Sequence, residues 1–129
     1  MVDLDDLLFS EDHLWVRLEG KNARIGVTNY IKKELGEITA VDLPVKGDEL
    51  EKDAPFGEIE SFQKSFDLIA PISGAVLEVN PNLEDEPGLI GEDPYQEGWL
   101  LLVSPTDANE LQSLLDYGEY REEVEEQEE

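Results

Sequence analysis

Between Gly57 and Gly74 the chain reads GEIESFQKSFDLIAPISG, and this stretch limits the fold more than any other. Two short apolar runs flank a polar centre, too short for helices and too close together for a parallel crossover, so they must pair as an antiparallel hairpin. The centre repeats itself: Ser61-Phe62, then Gln63-Lys64, then Ser65-Phe66. That pattern puts two long polar side chains, Gln63 and Lys64, at the tip. Ala70-Pro71-Ile72-Ser73-Gly74 then turns a corner into the next run.

The rest of the chain has the same texture. Leu14–Leu18 and Ala23–Val27 read as strands joined by a Glu19-Gly20-Lys21-Asn22 turn. A short helix follows, with Thr28 or Asn29 as its cap, Ile31 and Leu35 on its buried side, and Gly36 at its end. Glu37–Leu43 alternates Ile38, Ala40 and Leu43 inward, and Pro44 stops it. Gly47 to Leu50 suggests a turn into an edge segment. Ala75–Val79 is a strand closed by Asn80-Pro81-Asn82, residues 83–97 are rich in turns, and Trp99–Val103 reads as a last strand buried on both faces. Asp107 with Glu110 three residues later matches a capping box, opening a helix with Leu111, Leu114 and Leu115 on one face. Leu4, Leu7 and Leu8 suggest one helical turn at the start, and after an interruption at Gly118 the segment from Glu119 onward suggests a helical turn that frays into an acidic tail. Short strands without a long helical crossover predict a mainly β fold, a sandwich or flattened barrel with peripheral helices. The expected organisation is an acidic lead over 1–8, one domain over 9–121 and an acidic tail over 122–129.

Charge excludes more functions than any motif suggests. Nine basic residues against 33 acidic ones give a net charge of −24. Phosphate backbones and anionic lipid surfaces select clustered Lys and Arg, so nucleic-acid and membrane binding are not expected. No apolar run approaches the ~20 residues of a membrane span, and the acidic first residues are unlike a targeting peptide, so a cytoplasmic location is expected. The absence of cysteine removes thiol chemistry and Cys-based zinc sites. The single histidine, His13, beside Asp12, reads as structural rather than catalytic. Glu58, Glu60 and Asp67 share the hairpin without a cation-binding loop pattern. No catalytic set emerges. Lys21, Lys32, Lys33, Lys46 and Lys52 read as solvated surface residues, whereas Lys64 sits at a hairpin tip, where a rigid support could display an amine.

Taken together, several segments resemble the glycine cleavage system H protein family. They are Glu11-Asp12-His13-Leu14-Trp15-Val16, Ile25-Gly26-Val27-Thr28, Glu34-Leu35-Gly36-Glu37-Ile38, Asp42-Leu43-Pro44, Gly47-Asp48-Glu49, Gly57 through Gly74, Val79-Asn80, Glu92-Asp93-Pro94-Tyr95 and Gly98-Trp99-Leu100. The resemblance runs from about residue 9 to 120, in order. It implies a lipoyl-domain-like barrel-sandwich hybrid of antiparallel strands with short peripheral and C-terminal helices, and a carrier rather than an enzyme. Its cofactor would be lipoate, held covalently on a hairpin lysine. Its partners would be the glycine decarboxylase (P), the aminomethyltransferase (T), dihydrolipoyl dehydrogenase (L) and the lipoylating enzymes, between which an aminomethyl group is passed in glycine catabolism. The family pattern Glu-Ser-Val-Lys-Ala-x-x-Asp meets Glu60-Ser61-Phe62-Gln63-Lys64-Ser65-Phe66-Asp67 here, so the position of the lipoyl-lysine is occupied by Gln63. A carboxamide nitrogen is not an ordinary acyl acceptor, and Lys64 stands one residue further on, a step of about 3.8 Å. The doubled sequence could reset the hairpin so that Gln63 and Lys64 become its two central residues. Phe62 and Phe66, with Glu60 and Asp67, suggest an aromatic and acidic contact surface for partners. Two alternatives accompany the carrier reading: a non-lipoylated H-like binding or scaffold protein, and an H-like carrier in another lipoate-dependent pathway, for example one of sulfur oxidation.

Overall fold

The computed structural model describes residues 4–128. Residues 1–3 of the acidic lead, and Glu129 of the tail, lie outside the described residues. Nine strands form two antiparallel sheets. They are β1 (Leu8–Phe9), β2 (Leu14–Glu19), β3 (Asn22–Val27), β4 (Ile38–Asp42), β5 (Glu49–Leu50), β6 (Pro55–Ser61), β7 (Ser65–Ile69), β8 (Gly74–Val79) and β9 (Leu101–Pro105). The larger sheet runs β1-β2-β3-β9-β8-β5 and the smaller β4-β6-β7. Three α-helices, α1 (Tyr30–Leu35), α2 (Leu89–Glu92) and α3 (Tyr117–Glu128), lie at the periphery.

Strand alternation builds the core. Leu14 and Val16 of β2 and Ala23, Ile25 and Val27 of β3 point inward from the larger sheet, where they pack with Ile59 and Leu68 of the smaller one and Ile31 of α1. Every one of these is essentially inaccessible to solvent. A second cluster lies on the outer face of the larger sheet, where Leu7, Phe9, Trp15 and Tyr120 pack together under α3. This second layer explains one difference from the sequence expectation. The strand buried on both faces at its start is β2, because Trp15 lies in this second cluster, beside Phe9 of β1 and with its indole against Pro94 and Tyr95. β9 begins at Leu101 rather than Trp99 and leaves Leu102 half-buried between buried Leu101 and Val103.

Two further expectations are corrected. Ile38 and Leu43 meet the core as expected, but a bulge between Ile38 and Ala40 shifts the register, so Val41 packs on the core in place of Ala40. The helix expected after Asp107 is only a 3-10 segment, Ala108–Ser113. Asp107 accepts from the Asn109 amide at 3.0 Å, and Glu110 is drawn away to Ser73. The reciprocal capping box stands nine residues later: the Glu119 amide donates to Asp116 Oδ1 at 2.8 Å and the Asp116 amide to Glu119 Oε1 at 3.1 Å. It opens α3 at Tyr117, and the helix runs through Gly118 to Glu128 in place of the interrupted, fraying turn expected there. At the chain's start the helical turn is a 3-10 segment, Leu4–Asp6, and Leu8 belongs to β1.

Candidate functional site

The hairpin β6–β7 projects from the smaller sheet in a defined register, with Glu58 opposite Asp67, Ile59 opposite Phe66, and Glu60 opposite Ser65. Continuing that register, the Ser61 amide donates to the Lys64 carbonyl at 2.8 Å, so Phe62 and Gln63 are the two central residues of the turn. Neither has a positive φ, so the turn is not one of the primed types common in two-residue hairpins. Ser61 supplies the missing closure: its hydroxyl accepts from the Lys64 amide at 3.1 Å and the Gln63 amide at 3.4 Å, and donates to the Lys64 carbonyl at 3.2 Å. The doubled sequence therefore does not reset the hairpin to centre Gln63-Lys64. Lys64 is the first residue of the return side.

From there Lys64 leans across to α1. Its Nζ lies 3.6 Å from Glu34 Oε2, with the lysine side chain 58% exposed. Glu34 Oε1 in turn accepts from the Tyr30 hydroxyl at 3.0 Å. Tyr30 stacks on the His13 ring with 3.7 Å between centroids. His13 is buried, has a φ of 71°, and shares a hydrogen bond of 2.8 Å with Tyr120, whose hydroxyl also meets Thr28 Oγ1 at 2.7 Å. Burial raises the Tyr120 phenol well above its ordinary range, against a smaller opposing effect of its Thr28 bond. His13 is thus a structural link between α1 and α3. Thr28 is the hydroxyl that accepts from the Tyr30 amide, at 3.4 Å, while Asn29 occupies the cap position without a side-chain bond.

The remaining hairpin residues divide by face. Glu58, Glu60 and Asp67 point away from the core, and Asp42 joins them because it pairs with Glu58 across β4 and β6. Glu58 is held above the usual carboxylate range by local desolvation, then by its bond with Glu60 and the charges of Glu60, Asp67 and Asp42. Phe66 does not lie beside Phe62 at the surface: it is half-buried against the core, 6.4 Å from His13. Phe62 alone is exposed, at 81%.

The corner after β7 is a brace for the hairpin. Glu110 accepts from the Ser73 amide at 2.7 Å and from its hydroxyl at 3.0 Å, and Ser73 Oγ accepts from the Lys52 amide at 2.9 Å. Gly74 is required at this corner, since a Cβ there would come within 2.6 Å of the Ser104 carbonyl oxygen. Sequence reasoning missed a further feature. All four tyrosines of the chain, Tyr30, Tyr95, Tyr117 and Tyr120, line one cleft of about 310 Å3 beside α1 and α3. They come from three separate segments, so no periodicity could have joined them. The only sequence signal was the proximity of Tyr117 and Tyr120.

Chemically, the tip offers one amine, one carboxamide and one exposed ring. An amide-linked prosthetic arm does not fit Gln63, whose nitrogen lone pair is delocalised. Lys64 has the required nucleophile, one residue from the turn centre. Among the described residues no helix is long and apolar enough to cross a membrane.

Comparison with known proteins places this geometry. The family model of the glycine cleavage H-protein matches residues 7–127. The chain is 45% identical to the glycine cleavage system H protein of Bacillus licheniformis over 121 residues, covering 94% of this chain and 95% of that protein. It is 44% identical to that of Halalkalibacterium halodurans over 123 residues, 95% and 96% of the two. Its fold matches the crystal structure of a glycine cleavage system H protein from Mycobacterium marinum with a TM-score of 0.86 and 35% identity, covering 94% of this chain and 98% of that one. A match over nearly the full length has one consequence: the chain belongs to the glycine cleavage H-protein family, whose members are lipoyl carriers.

Proposed function

We propose that this chain works in the cytoplasm as the carrier component of a glycine-cleavage system, with residues 9–121 as the carrier module and Lys64 as the lipoate acceptor. The observation that supports Lys64 is its position. It is the one amine of a hairpin whose turn is fixed by Ser61, and among the described residues its Nζ pairs with Glu34 alone, in an exposed ion pair. Exposed pairs of this kind contribute about 0–1 kcal/mol, so a modifying enzyme can release the amine at little cost. Lipoate bound there would supply the disulfide that takes up an aminomethyl group. The chain's own part is to hold the attachment point on a braced hairpin and to offer surfaces to the decarboxylase, the aminomethyltransferase, dihydrolipoyl dehydrogenase and the lipoylating enzymes.

A second reading is favoured by one observation, the carboxamide of Gln63 at the turn centre. In that reading the chain docks with the same partners but carries no arm. Intact-mass analysis after co-expression with a lipoate ligase and free lipoate separates the two. The carrier reading expects a lipoyl mass gain that disappears in Lys64→Ala. No gain in the parent, together with a gain in Gln63→Lys, favours the unmodified docking protein.

A further inference from the structure

We propose that the hairpin tip and the adjoining end of α1 form a docking surface anchored by Phe62, for a protein that presents an apolar socket ringed by lysine and arginine. This rests on the carrier reading and names the chemistry of the partner surface.

Phe62 is the most exposed of the large apolar side chains that are exposed, at 81% against 66% for Val45 and 51% for Leu18. It stands at the centre of a turn that Ser61 closes with three hydrogen bonds. A ring held out on a restrained turn loses little freedom on binding, which is the condition for an efficient anchor. Beside it a cleft of about 350 Å3 opens between the tip and α1, lined by Glu34, Leu35, Gly36, Glu37, Phe62 and Gln63. The cleft is lined by the apolar Phe62 and Leu35 and by two carboxylates, of which Glu34 already faces Lys64 at 3.6 Å.

The surroundings specify the complementary charge. Glu58 and Asp67 stand directly opposite each other across β6 and β7, and Glu60 follows on the same outward face. Like charges placed opposite each other in a sheet weaken it, and none of the three has a salt bridge among the described residues. A basic rim on a partner relieves that repulsion on contact and steers its approach. With a net charge of −24 the same surface repels nucleic acid and anionic membranes. The partner is a protein.

The test measures binding of the full chain to the decarboxylase, the aminomethyltransferase and dihydrolipoyl dehydrogenase from the same genome, each separately, at low and high salt. Phe62→Ser is expected to weaken the parent's binding about 30-fold, a hot-spot loss. A variant combining Glu58→Gln, Glu60→Gln and Asp67→Asn is expected to bind with a flatter salt dependence, and Leu18→Ser to bind as the parent does. Binding of Phe62→Ser within about twofold of the parent overturns the anchor, since a hot-spot residue costs far more. An unchanged salt dependence in the triple variant overturns the basic partner surface. If the parent binds none of the three enzymes, the carrier reading fails and the docking surface with it. If the parent binds but Phe62→Ser is unaffected, only the docking surface fails. Circular dichroism melts of each variant confirm that the fold is intact.

Discussion

Replacing Gly26 by alanine tests the packing of the layer that holds α3 over the larger sheet. Gly26 lies opposite Trp15 across β2 and β3. A Cβ built there falls 2.5 Å from Trp15 Cε2 and Cζ2, and 2.7 Å from Nε1. Carbon atoms settle at about 3.5–4.0 Å, so the indole must retreat by about 1 Å or the strands must part. The indole has no room to retreat freely, since Trp15 is fully buried and its Nε1 donates to the Pro94 carbonyl at 3.0 Å. Overpacking costs about 1–3 kcal/mol and a buried N–H left unpaired about 1–3 kcal/mol, giving about 2–6 kcal/mol in all. With a cost of about 4 kcal/mol and a urea slope of about 2 kcal/mol/M, the unfolding midpoint falls by about 2 M. Urea unfolding followed by far-ultraviolet circular dichroism reads this without depending on the displaced indole. Repeating the change in a Trp15→Leu background isolates the clash, and there it should cost less than about 1 kcal/mol. An unchanged midpoint, or the same loss in both backgrounds, would refute the clash as the cause.

Tyr120→Phe removes the hydroxyl shared by His13 and Thr28 and leaves buried polar atoms behind, so a loss of about 1–3 kcal/mol is expected, with faster amide exchange across α3. Glu110→Ala removes both bonds to Ser73 and should speed exchange at residues 70–74 more than elsewhere. Glu19, gripped first by Arg24 and then by Arg17, has its carboxyl lowered from 4.5 to about 2. A depressed carboxyl stabilises the fold above its unfolded pKa and loses that contribution as pH falls through the folded one. Melting temperatures of the parent and Glu19→Gln should therefore differ above pH about 4.5 and converge as pH falls to about 2. Phe62→Ser, by contrast, changes an exposed side chain and should shift stability by no more than about 0.5 kcal/mol.

The strands were legible because their alternation is local: Leu14, Val16, Ile25 and Val27 declare an inward face without reference to the rest of the chain. What escaped was set by contacts distant in sequence. Trp15 is buried against Pro94 and Tyr95, far later in the chain, so β2 could not be recognised as covered on both sides. Glu110 matches a capping box locally but finds Ser73, 37 residues away, a better partner. The hairpin was legible as a hairpin, and the displacement of Lys64 from Gln63 could be counted along the chain. The choice of turn centre was not, because it depends on how Ser61 distributes one hydroxyl between two amides and a carbonyl. Likewise the lean of Lys64 toward Glu34 depends on where α1 lies. Phe62 and Phe66 look equivalent in the sequence, and it is the position of the turn that separates them: Phe62 falls in the turn and is exposed, while Phe66 pairs with Ile59 in the sheet and packs on the core.

Peptide mapping by mass spectrometry of the protein purified from its own cells tests the acceptor assignment most directly. A lipoyl group on the peptide containing Lys64, with fragmentation placing it on that residue, is the expected result. Peptide found wholly unmodified, in cells whose other lipoyl proteins are fully acylated, would contradict the assignment and leave Gln63 as the centre of a docking hairpin without an arm.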